Sequence, residues 1–292
     1  TKINIIYNGL TQDELDKNFY HGMLPFREDG NPVSMKDRPS LLKDAAKLNN
    51  ERTKEAIRRF NPQVNISYGS HPKMKYDLYS AGENTPVMVV FSGGAFLRAK
   101  KQTFSLWANL LVPNGISLID VGYPQIDDTP LLKMINNAIY LINHVRTEIS
   151  DKVILAGQSS GASVIASAAI KLANKDSLEN IIGIYLASGY YDMRPMQLSA
   201  RGNYMKLTPE QATMCSAICT VYKPLPPTMI TVGQLETGQS LTQNGDFYRE
   251  LLRYNTPVIR EVIFMKNHFA IADELYYDNT KSWKFIQSLL HK

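Results

Sequence analysis

Gly157-Gln158-Ser159-Ser160-Gly161 joins the apolar run Val153-Ile154-Leu155-Ala156 to a stretch of small residues beginning Ala162-Ser163-Val164-Ile165. A strand that turns sharply into a helix pushes the central serine out of the sheet. Glycines two residues to either side remove the Cβ atoms that such a turn would drive together. The helix that follows aims the positive end of its backbone dipole at whatever Ser159 attacks. A hydroxyl so placed is a candidate nucleophile. It needs a base, a carboxylate to orient that base, and hydrogen-bond donors for an oxyanion.

This elbow resembles that of the α/β-hydrolases, and the resemblance implies that the acid and then the histidine follow the serine in the chain. Only His268 and His291 lie downstream of Ser159, and His291 is the penultimate residue. His268, in Met265-Lys266-Asn267-His268-Phe269, follows the last expected strand and is the candidate base. His21, His71 and His144 precede the serine and read as surface or helix-packing residues. Glu236, in Gly233-Gln234-Leu235-Glu236, leaves the preceding strand and can accept the imidazole Nδ1–H. Asp192 is the rival acid; Asp246, on an expected helix, and Asp273, past the histidine, are weaker ones. Upstream, Val87-Met88-Val89-Val90-Phe91 runs into Ser92-Gly93-Gly94-Ala95-Phe96. Backbone amides at Gly93, Gly94 or Ala95, together with that of Ser160, form the candidate oxyanion hole. No histidine pair, carboxylate cluster or cysteine group has metal-ligand spacing, and neither phosphate-binding glycine motif occurs, so no metal or cofactor is expected.

These residues need a scaffold that brings several strand ends together. From residue 64 short apolar runs alternate with helical segments. Expected strands are 65–68, 75–80, 87–91, 117–121, 153–156, 181–187, 229–232 and 258–264; expected helices are 101–111, 131–149, 162–171, 242–254 and 281–290. Several strands lack apolar/polar alternation, as befits strands covered on both faces. The fold class is therefore α/β, a mostly parallel central sheet with helices on both sides. Residues 1–62 read as a helical extension: Thr11 and Glu14 mark one helix start, a second helix covers 41–60, and a Pro/Gly/Asp-rich loop at 23–39 lies between. Residues 188–227 break the alternation and read as a cap-like insertion. Its aromatic and methionine side chains suit a substrate wall.

All 292 residues read as a single domain, 44% hydrophobic and large enough to bury a core. No apolar run approaches the ~20 residues of a membrane span. The first seven residues carry no signal-like apolar core, and the chain does not begin with Met. The net charge of +5 is dispersed, with no arginine-rich aromatic platform, which argues against nucleic-acid or membrane partners. Cys215 and Cys219, the only two cysteines, read as one helix face, and a reducing, cytoplasmic setting is expected.

Taken together, the motifs resemble the arylformamidase (kynurenine formamidase-like) and small carboxylesterase branch of the α/β-hydrolase superfamily, over about residues 12–280. Asp13-Glu14-Leu15-Asp16-Lys17-Asn18-Phe19 is similar to its N-terminal Glu-Leu-Asp-x-x-Tyr/Phe helix. Gly122-Tyr123-Pro124 and Ser188-Gly189-Tyr190-Tyr191-Asp192 resemble further elements of that branch, and Asn267-His268-Phe269 matches its Asn-His-Phe. Three residues depart from the pattern. Ser92 stands for the oxyanion-loop histidine, Phe96 for a tryptophan, and Glu236 for an aspartate. The resemblance implies an α/β-hydrolase fold and a serine hydrolase acting on a small ester, including lactones such as acyl-homoserine lactones, with aryl formamides second. A non-catalytic ligand-binding protein of the same fold is the reading from another class. Phe96, Tyr123, Tyr190, Tyr191 and Phe269 are the expected pocket residues, a small molecule is the expected partner, and a homo-oligomer is compatible with the chain.

Overall fold

The structure, a computed structural model, describes residues 4–21, 31, 33, 34 and 36–291; most of the expected loop at 23–39 lies outside these. Two helices come first, α1 (Gln12–Asn18) and α2 (Arg38–Phe60). Strands β1 (Gln63–Ser67), β2 (Lys75–Tyr79) and β3 (Val87–Phe91) precede α3 (Ala108–Leu111) and β4 (Ser117–Gly122). The core of the molecule continues through α4 (Leu131–Glu148), β5 (Val153–Gln158), α5 (Ser160–Ala173) and β6 (Ile181–Ala187). Four short helices follow: α6 (Met193–Leu198), α7 (Gly202–Met205), α8 (Pro209–Met214) and α9 (Ala217–Thr220). The chain closes with β7 (Thr228–Gly233), α10 (Gly238–Arg253), β8 (Val258–Ile263) and α11 (Lys281–Leu289).

The strands form one eight-stranded sheet in the order β1-β2-β4-β3-β5-β6-β7-β8. β1 and β2 pair antiparallel with each other, and β2 pairs antiparallel with β4; every other pairing is parallel. Side chains of β3 alternate between two cores. Val87, Val89 and Phe91 pack with α4, α5 and α10, whereas Met88 and Val90 face Trp107, α3 and α11. Burial on both faces is why these strands show no polar alternation: β3, β5 and β7 are buried at every position.

Local chemistry sets the boundaries. Thr11 and Glu14 form a reciprocal capping box at the start of α1. The helix expected over 101–111 does not form as such. The Phe104 N–H and Ser105 hydroxyl both donate to Asp120 Oδ2 on β4 (3.2 and 2.8 Å), so the chain runs as a loop to residue 104 and only then coils. α10 starts at Gly238 rather than at 242, because Thr237 caps it by accepting from the Ser240 N–H. Cys215 ends α8 and Cys219 lies in α9, so the two free cysteines do not share a helix face. No helix among the described residues is long and apolar enough to cross a membrane.

Candidate active site

β5 runs unbroken to Gln158, and α5 begins at Ser160. Ser159 takes the whole turn, with φ 54° and ψ −127°, a conformation that costs a non-glycine residue about 1–3 kcal/mol. Packing leaves the chain no gentler route: a Cβ on Gly161 would lie 2.0 Å from the Phe91 carbonyl oxygen. The turn is held by the Ser159 N–H, which donates to the Ala187 carbonyl at 2.8 Å.

His268 reaches this hydroxyl from the loop after β8. Its Nε2 lies 2.9 Å from Ser159 Oγ, and its Nδ1 lies 2.8 Å from Glu236 Oε2. The two side chains are 6% and 0% exposed, so their interaction is not screened by solvent. Glu236 Oε1 accepts from the Gly233 N–H (2.8 Å) and, in a short contact, from the Ser188 hydroxyl, which leaves Oε2 to face the imidazole. Asn267 Oδ1 accepts from the N–H groups of Phe269 and Ala270 (2.9 and 3.0 Å) and so folds the His268 loop.

The other candidate acids are committed elsewhere. Asp192 caps α6 and pairs with Arg194 at 2.8 Å. Asp273 pairs with Arg52 and Lys266 (2.6 and 3.0 Å), and Asp246 pairs with Arg249 on the surface. His71 lies near Asp128 and His144 lies on α4, both away from Ser159.

The loop after β3 passes beside the elbow. A Cβ on Gly94 would meet the Ala99 nitrogen at 2.2 Å, so the loop closes only around glycine. The Gly94 N–H donates to Ser160 Oγ at 3.1 Å and therefore serves the loop's shape. Tyr123 Oη–H donates to the Ser92 carbonyl (2.6 Å), and the Ser92 hydroxyl donates to the Lys100 carbonyl (2.8 Å). Among the described residues, none accepts from the N–H of Gly93, Ala95 or Ser160.

Ser159, His268 and Gly93–Ala95 form the floor of a cleft of about 580 Å³, whose walls include His21, Arg98, Arg201, Tyr204 and Phe269. Of the expected pocket aromatics, Phe269 lines this cleft, 38% exposed. Phe96, Tyr123, Tyr190 and Tyr191 are buried behind the wall instead. Tyr123 braces the loop after β3 and Tyr191 stacks on Phe247. Tyr190 Oη lies within hydrogen-bond distance of His21 and Ser240, and burial pushes its phenol up to about 12. Parts of the 188–227 segment do reach the cleft, as Ala200, Arg201 and Tyr204.

His21 is the residue that chain order hides. It precedes the nucleophile and reads as a surface or packing histidine, yet its ring stacks on His268 with centroids 3.4 Å apart and planes 2° from parallel. His21, Glu236 and His268 could each offer one ligand atom to a metal, all within 4.8 Å of one another. Geometry opposes that use: lone pairs lying in two parallel ring planes do not converge, and both His268 nitrogens already face partners.

No family model matches the chain. It is 23% identical to kynurenine formamidase of Danio rerio over 248 residues, 78% of this chain and 82% of the relative. Among solved structures, a candidate thioesterase from Silicibacter sp. superposes with a TM-score of 0.78 at 17% identity, over 94% of this chain and 99% of its own. Esterase B of Lactobacillus rhamnosis follows at a TM-score of 0.66 and 12% identity, over 87% and 96%. At such identities the solved structures speak for the fold alone. The chain has the α/β-hydrolase fold, and in sequence it is similar to kynurenine formamidase.

Proposed function

We propose that this hydrolase is a serine esterase acting on small-molecule carboxylic esters, lactones such as acyl-homoserine lactones included. The observation that carries the reading is the continuous hydrogen-bonded line Ser159–His268–Glu236 at the floor of an open cleft. Ser159 Oγ attacks the carbonyl carbon while its proton passes to His268 Nε2. The carbonyl oxygen takes the displaced electron pair and is held by the N–H groups of Ser160 and of Gly93 or Ala95. His268 then gives its proton to the leaving alcohol as the C–O bond breaks, leaving an acyl-serine. Water attacks next, His268 removes its proton, and collapse releases the acid and returns a proton to Ser159. Glu236 balances the imidazolium formed in each half-reaction.

A formamide substrate is the second reading, favoured by the kynurenine formamidase relative that spans most of the chain. The same steps then expel an amine and leave a formyl-serine. Ser159→Ala is expected to lower turnover of a short-chain p-nitrophenyl ester by several powers of ten and to abolish labelling by a fluorophosphonate probe. Retained turnover sinks the mechanism. An unaltered protein that neither labels nor turns over esters and formamides would instead point to a ligand-binding role for the fold.

A further inference from the structure

We propose that His21 is a positioning residue for the general base: a permanently neutral imidazole laid flat on His268, which fixes the ring plane of His268 throughout the reaction. The inference rests on Ser159 and His268 acting as proposed above.

The placement is built. Asn18 and Phe19, just upstream, are held from the acid side of the site. The Thr237 hydroxyl donates to the Asn18 carbonyl (2.6 Å), and the Gln239 N–H donates to Asn18 Oδ1 (2.9 Å). Arg201 Nε and Nη2 both donate to the Phe19 carbonyl, at 2.9 and 2.6 Å. Thr237 follows Glu236 directly, so the loop that supplies the carboxylate also anchors the segment that supplies the second imidazole.

The charge state of His21 follows from its partners. Nε2 lies 3.0 Å from Tyr190 Oη, and Tyr190 Oη lies 3.2 Å from Ser240 Oγ. Nδ1 is buried without a hydrogen-bond partner among the described residues. A protonated His21 would therefore bury an unsatisfied N–H, whereas the neutral Nε2–H tautomer leaves only a lone pair there. Burial, and next the positive charges of His268 and Arg201, also hold its pKa well below the usual imidazole range. Among the described residues, the titratable and charged groups that face it are His268, Glu236, Tyr190 and Arg201. Two imidazolium rings at 3.4 Å would repel strongly, so His268 can accept the Ser159 proton only if its neighbour stays neutral.

A flat neutral ring on one face at 3.4 Å, with Phe269 edge-on at 5.5 Å, opposes rotation of His268 about its Cβ–Cγ bond. Rotation would break the Ser159 and Glu236 contacts together. The stack therefore keeps both ring nitrogens on line.

The test compares His21→Ala, His21→Phe and unaltered protein by steady-state ester hydrolysis and by the rate of fluorophosphonate labelling, with melting temperature as the check on folding. Loss of the ring is expected to lower kcat and the labelling rate about tenfold or more, with KM within about twofold. Phenylalanine, flat but unable to hydrogen-bond, is expected to restore most of kcat. Unchanged kcat in His21→Ala overturns the proposal. So does a His21→Phe variant that melts normally and is as slow as His21→Ala, because that result would place the effect in the Tyr190 contact rather than in the stack. If the unaltered protein does not label at all, the serine hydrolase reading itself fails, which separates the two outcomes.

Discussion

At the scale of single residues, Glu236 is held more tightly than orienting one imidazole requires. Its second oxygen is occupied by the Gly233 N–H and the Ser188 hydroxyl, so the longer side chain cannot swing its carboxylate away from His268. That restraint offsets the extra methylene that glutamate has over aspartate. Glu236→Ala is expected to lower kcat by about three to four powers of ten, the loss expected when the imidazole keeps neither tautomer nor counter-charge. Asp192→Ala is expected to cost less than about tenfold in kcat but about 1 kcal/mol in stability, since it removes a helix cap. Parallel rate and melting measurements check the pair, and the opposite ranking of rates would move the acid. Ser159, Glu236 and His268 were legible because each sits at a strand exit and strand exits of a parallel sheet share one edge. His21 was not legible, since nothing in spacing ties a residue before the first strand to a loop after the last. The tyrosines of the 188–227 segment were legible as apolar bulk, but not as the back of the wall rather than its face.

At the scale of elements, Asp120 on β4 shows how a strand shapes the loop that follows its neighbour. Its Oδ2 gathers the Phe104 N–H and the Ser105 hydroxyl, while Oδ1 is buried without a hydrogen-bond partner among the described residues. Burial is the main cause that pushes this carboxyl from 3.8 up to about 7. Between those values the folded chain keeps a proton that the unfolded chain releases, so this group's contribution to stability falls as pH rises from about 4 to about 7. Asp120→Asn keeps an acceptor for both donors and removes the ionisation. It is therefore expected to melt higher than unaltered protein at pH 8, by up to about 4 kcal/mol of stability, and to converge with it near pH 4. Melting curves across that range check the slope; equal slopes in the two proteins would refute the assignment. The same contact explains a local failure of sequence reading. Residues 104–111 are apolar enough for a helix, but the tie to β4 delays coiling, and periodicity carries no trace of a partner on another strand.

At the scale of the whole molecule, the existence of a two-faced parallel sheet was legible in the unalternating strands, and its order was not. That β4 lies between β2 and β3 depends on which strand edges meet, a tertiary choice invisible to local pattern. The same holds for the return of the N-terminal segment to the C-terminal edge of the sheet. Leu15 of α1 and Phe19 at its C-cap are buried, and beyond the anchors at Asn18 and Phe19 the helix is fastened by Asp16, which accepts from the Ala200 N–H at 2.6 Å, and by Gln12, which donates to the Leu198 carbonyl at 2.9 Å. No strand pairing of the sheet involves it among the described residues. Removal of residues 1–21 is expected to leave a cooperatively melting sheet, while ester turnover falls at least as far as in His21→Ala. A deleted protein with full turnover would refute the dependence.

The few bonds at the seam of α1 have a practical consequence. Among the described residues, the segment is joined to the body by the buried Leu15 and Phe19, by the half-buried Ile6, Tyr7 and Leu10, and by a handful of polar contacts, so it is expected to bind the rest of the chain even when the covalent link is cut. Supplied as a separate peptide of residues 4–21, it would titrate the truncated body back to activity. The saturation curve of that recovery would measure the strength of the seam directly, and the hydrolase would become a reporter of whether its two fragments have met.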